Sequence, residues 1–114
     1  MTAGSTPKPS RPHAEALKEA YADQAEALAM LRHALVSFVE GDAEEGKYAL
    51  RSLVMGRMGF EGAARETGIP ARSLNRMLSA DGNPSMSNLA LIYKLLHDDL
   101  GVKADWSLAG ADAA

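Results

Sequence analysis

Residues 60–79 read FEGAARETGIPARSLNRMLS, and this stretch decides the fold. It predicts two short helices joined by a tight turn. Ala63 and Ala64 are small where two helices must approach closely. Gly68 stands where the first helix must stop, because glycine reaches positive φ without strain. Ile69 would fill the corner beneath the turn. Pro70 suits the start of the second helix, where a missing N–H costs nothing. Leu74, Met77 and Leu78 recur at helical spacing and predict a buried inner face for a helix over 70–78. The opposite face carries Arg72, Asn75 and Arg76, side chains that can reach base edges and phosphates in a DNA major groove. This is the organisation of a helix-turn-helix. Helix, glycine, helix also occurs in α-helical domains that never touch DNA, so the rest of the chain has to support one reading or the other.

The composition favours helices. Of the 114 residues, 46% are apolar, mainly alanine, leucine and methionine, and only 5% are aromatic. No segment alternates Val, Ile, Thr and aromatics as a strand would. The chain has no cysteine, which excludes disulfides, thiolate metal sites and cysteine nucleophiles. Residues 1–16 lack the apolar stretch of a secretory signal, and no apolar run approaches a membrane span. A cytoplasmic protein with no membrane contact is the expectation.

Net charge is −3, whereas DNA-binding domains are often basic. Position matters more than the sum. Arg57, Arg65, Arg72 and Arg76 face only Glu61 and Glu66 in the central stretch, while the acids cluster before and after it. A locally basic face on an acidic body is electrostatically workable.

The flanking segments read as follows. Residues 1–12 hold three prolines among small and basic residues and are expected to form a disordered arm. From His13 to Glu40 one long amphipathic helix is expected. Leu17, Tyr21, Gln24, Leu28, Leu31, Leu35 and Phe38 form a heptad seam with one polar interruption at Gln24. Such a seam packs across its own domain, pairs with its copy, or accepts a partner. Leu17, Tyr21, Leu28 and Leu31 are its candidate interface residues. Gly41 ends this helix and Asp42 caps the next, whose apolar face is Tyr48, Leu50, Leu53, Val54 and Met58. Gly56 and Gly59 are expected to loosen the chain before the motif. Asp81-Gly82-Asn83-Pro84 is a turn, and Ser85 caps a last helix whose core side is Met86, Leu89, Leu91, Ile92, Leu95, Leu96 and Leu100. Gly101 closes it. Residues 103–114 form a tail in which Trp106 is the side chain able to fold back on the body.

Catalytic or metal chemistry is not expected. His13, His33 and His97 offer no i, i+4 metal pair, and there is no HExxH. Asp98 and Asp99 are helical neighbours that diverge, so they form no carboxylate dyad. No nucleophile elbow, phosphate loop or dinucleotide fingerprint is present. No cofactor is implied.

From Ala34 to Val102 the chain resembles the HigA-type addiction-module antidote proteins, antitoxins with a Cro/C1 phage-repressor helix-turn-helix. The residues that carry the likeness are Ala34-Leu35, Gly41-Asp42, Ala49-Leu50, Gly59, Ala64, Thr67-Gly68-Ile69, Leu74, Leu78-Ser79, Gly82-Asn83-Pro84-Ser85, Leu89 and Gly101-Val102. The LSADGNPS string is the most specific piece. The resemblance implies an all-α, five-helix phage-repressor-like fold, with 41–102 as the helix-turn-helix DNA-binding domain, bound as a homodimer to double-stranded operator DNA. It also implies a small basic toxin partner of the RelE/HigB type. The base-reading positions would be Ala71, Arg72, Ser73, Asn75 and Arg76, with Asn83 and Ser85 near phosphate. A stand-alone repressor without a toxin, and a protein-interaction module that has lost DNA binding, remain the alternatives.

Overall fold

In a computed structural model, which describes residues 11–105 and 107–110, the chain forms six α-helices. They are α1 (Arg11–Ala22), α2 (Gln24–Val39), α3 (Ala43–Arg57), α4 (Gly59–Thr67), α5 (Ala71–Met77) and α6 (Met86–Leu100). No strand occurs among the described residues, and no helix among them is long and apolar enough to cross a membrane. The arm expected over 1–12 lies outside the described residues up to residue 10, and α1 begins at Arg11. In the tail, Trp106 and 111–114 lie outside them as well.

The single helix expected over 13–40 is two helices. Asp23 takes an extended conformation (φ −74°, ψ 115°), and its carboxylate accepts from the amides of Ala25 and Glu26 at 2.9 and 3.4 Å. Aspartate there is a better N-cap than a mid-helix residue, because its side chain satisfies amides that otherwise lack partners. The break re-phases the seam. In α2 the buried stripe is Ala27, Leu31 and Ala34, with Phe38 packed against it, while Leu28 and Leu35 slip to its edge. Gln24 also gains a role: its Nε2 donates to the Leu100 carbonyl at 2.7 Å, closing the end of α6.

Both α1 and α2 pack on α3, the most buried helix, where Ala49, Leu50 and Leu53 are wholly inaccessible and Val54 nearly so. Each large aliphatic side chain so buried stabilises the fold by about 1.5–3 kcal/mol relative to exposure. Tight approach requires missing side chains. A Cβ on Gly46 would stand 2.5 Å from the Phe38 ring. A Cβ on Gly56 would stand 2.7 Å from both the Leu17 carbonyl oxygen and the Tyr21 ring. Gly56 therefore does not loosen the chain; it seats α1. Tyr21 and Leu31 are core residues, Leu17 packs on that core, and Leu28 is half-buried.

The core continues through Ala63, Leu74, Leu78, Ile92, Leu96 and Leu100. Tyr93 meets Phe38 edge to face, with ring centroids 6.3 Å apart, and burial pushes its phenol above the ordinary tyrosine range. Three expected core residues face outward instead: Tyr48, Met86 and Leu91 are 56%, 83% and 43% exposed. They sit at the margins of faces whose centres are filled by Leu50, Leu53, Ile92 and Leu96.

Gly56→Ala should lower stability by about 1–3 kcal/mol, although alanine is the better helix former. The new methyl meets backbone, which cannot rotate away. A thermal melt followed by circular dichroism measures this.

Candidate nucleic-acid interface

The candidate surface begins with a stop. Gly68 ends α4 at φ 77°, and its amide donates to the Ala64 carbonyl. Thr67 shapes the same turn, accepting from the Ile69 amide at 3.2 Å while its hydroxyl donates to the Ala63 carbonyl. Pro70 (φ −56°, ψ 142°) then leads directly into α5, one residue later than the expected start. Leu74 is the anchor of α5 at 1% exposed, with Met77 and Ile69 packed beside it. That burial fixes which side of α5 looks outward.

Arg72 and Arg76, at i and i+4, are exposed, and Asn75 lies beside them, half-buried. Ala71 and Ser73 flank this face at intermediate burial. The Asn75 Oδ1 accepts from Arg51 Nε of α3 at 3.2 Å. Guanidinium can only donate, so the amide oxygen must point at Arg51 and the NH2 group points away from it. Asn75 thus presents donors rather than the donor–acceptor pair that reads adenine. Burial lowers the Arg51 pKa from its ordinary value, but an arginine keeps its charge.

The loop after α5 is held from below. Lys47, buried in α3, extends its ammonium to the carbonyls of Ala80 and Gly82 at 3.1 and 2.7 Å. A buried ammonium is tolerable only when hydrogen-bonded in this way. Ser79 donates its hydroxyl to the Arg76 carbonyl at 2.7 Å, and the Gly82 amide donates to the Ser79 carbonyl. A Cβ on Gly82 would collide with the carbonyls of Arg76 and Met77, so only glycine lets this loop lie against the end of α5. Asn83 is exposed on the loop. Ser85 caps α6 by accepting from the Asn88 amide at 3.1 Å, which leaves its hydroxyl able to donate.

Two arginines expected on this basic face lie away from α5, and Arg57 is engaged elsewhere. Arg57 pairs with Asp99 at 2.7 Å and donates to the Tyr21 carbonyl at 2.8 Å, tying α3 to α6 and α1. Arg65 lines a cleft of about 560 Å3 between α4 and α6, opposite Lys94 and Asp98. Arg51 and Lys47, which act on α5 and its loop, carry no signal in sequence, because their partners lie 24 to 35 residues away. No group of three or more His, Asp or Glu able to hold a metal occurs among the described residues.

No protein-family model, curated protein or solved structure matches the chain.

Lys47→Met keeps the stem and removes the donors, leaving two carbonyls unsatisfied. A loss of about 1–3 kcal/mol is expected, with Gly82→Ala at least as costly because it strikes backbone. Urea unfolding of both variants tests this, and amide exchange should rise in 79–85 ahead of the rest.

Proposed function

We propose that the chain is a sequence-specific DNA-binding transcriptional regulator, with α4 and α5 as a helix-turn-helix and α5 as the helix that enters the major groove. The observation that carries this is the two-faced character of α5. Leu74 is sealed into the core while Arg72 and Arg76 are exposed and have no partner among the described residues. Asn83 and the Ser85 hydroxyl, at the loop and the start of α6, suit phosphate oxygens on the flank. One seven-residue helix reads only a few base pairs. Two copies on a palindromic site, with half-sites about one DNA turn apart, would supply useful specificity. An antitoxin that represses its own operon and neutralises a RelE/HigB-type toxin is the role that the sequence resemblance adds. A stand-alone repressor needs only the first part.

The test starts by selecting duplexes with the wild-type chain from a random-sequence pool. Arg72→Ala and Arg76→Ala should each weaken the selected duplex by about 1–3 kcal/mol and random duplex much less. Failure to enrich any sequence would overturn the proposal. Equal losses on both duplexes would reduce the two arginines to phosphate contacts.

Arg51→Ala releases the Asn75 amide to rotate. Repeating the selection with that variant should move the preferred base under Asn75 toward adenine, with stability changed far less than preference.

A further inference from the structure

Helix α2, QAEALAMLRHALVSFV, is apolar on nearly every side. A helix of this kind is normally covered all round. Its inner stripe, Ala27, Leu31 and Ala34, is buried on α3. Its outer face stays exposed, bordered on one side by residues 102–105. Val36 and Val39 are 56% and 61% exposed, and Ala25 and Ala29 continue the same face toward the N-terminus. The charges that α2 and its cap place at the centre of this face are Arg32 and Glu40, both exposed; His33 at one edge is paired with Glu45, and Lys103 and Asp105 border the cleft that Arg32 and Val36 help to line. Among the described residues neither Arg32 nor Glu40 has an ion-pair partner.

We propose, building on the paired DNA-reading units inferred above, that this face binds a second copy of the chain, with the two α2 helices antiparallel about a twofold axis at Val36. The charge positions select this occupant and this direction. Arg32 and Glu40 stand four residues to either side of Val36, about 6 Å along the helix axis each way. In an antiparallel pair, residue 36 − n faces residue 36 + n of the other copy. Arg32 then meets Glu40 of the second chain, symmetry repeats the ion pair, and Val36 meets Val36 between them. A parallel pair would set Arg32 on Arg32 and Glu40 on Glu40. The contact is isologous, so it closes at two chains. It leaves α5 on a different part of each chain, since α5 packs chiefly on α4 and is joined to α3.

Charge reversal tests this without DNA. Arg32→Glu alone places Glu against Glu twice, and Glu40→Arg alone places Arg against Arg twice. Each should raise the dimer dissociation constant on the order of tenfold, measured by sedimentation equilibrium. An equimolar mixture of the two variants restores both pairs. In the mixed dimer the two introduced side chains face each other with opposite charge, and the native Glu40 of one variant faces the native Arg32 of the other. Recovery of dimer in the mixture, as heterodimer by native mass spectrometry, is the expected result. Val36→Asp, at the axis, should give monomer with an unchanged helical circular dichroism spectrum. Three results would overturn the proposal: a wild-type chain that stays monomeric at every concentration, single variants that dimerise as well as wild type, or a mixture no better than either variant. Failure here leaves the duplex selection untouched, so the dimer surface and the DNA reading stand or fall separately.

Discussion

Helix α3 can be buried on almost every side only because its long cationic side chains find partners on other elements. Three cations leave it in three directions. Lys47 reaches the loop after α5, Arg51 reaches α5 itself, and Arg57 reaches the ends of α1 and α6. Glycines at 46 and 56 let the flanking helices come close enough for leucines to fill the space between the cations. The apolar burial holds α3 in place, and the cations transmit that position to the helices around it. Removing an apolar contact would weaken the whole domain. Removing a cation would loosen one local contact and leave the apolar anchoring of the neighbour in place.

This arrangement matters for the outward face of α5. A short helix on an exposed corner has little to hold it, since seven residues are well below the length at which an isolated helix is stable. Here it is fastened at its middle by Leu74, at its side by Arg51, and at its end by the loop that Lys47 clamps. Arg72 and Arg76 therefore project from a fixed base, and ordering them on a ligand costs only their own side-chain freedom.

How much of this can be read in the sequence depends on the range of the interaction. Caps and stops are legible at Asp42, Gly68, Ser85 and Gly101, because each is decided by a residue and its neighbours within a turn. The inner face of α5 is legible through Leu74 and Leu78. Asp23 obeys the same local rule, but the heptad seam on either side of it argues for continuity, and in the folded chain the cap prevails. Periodicity marks an apolar face without saying how wide the covered part is, which is why Tyr48, Met86 and Leu91 lie outside it. Among the candidate site residues, Arg72 and Arg76 are exposed on α5, while Asn75 is half-buried and bonded to Arg51 of α3. What holds them is not legible: the partners of Lys47 and Arg51 are defined only once the chain has folded.

The corner where Gln24 meets the Leu100 carbonyl, and Arg57 joins Tyr21 to Asp99, has a consequence for the order in which the molecule is completed. Gln24 and Leu100 are 76 residues apart, so the bend between α1 and α2 is sealed by the final turn of α6. During synthesis the N-terminal helices leave the ribosome early but gain this closure only after residue 100 has also emerged. Until then their apolar faces have α3 as their principal cover. The nascent domain thus stays open at the α1–α2 corner until α6 closes it.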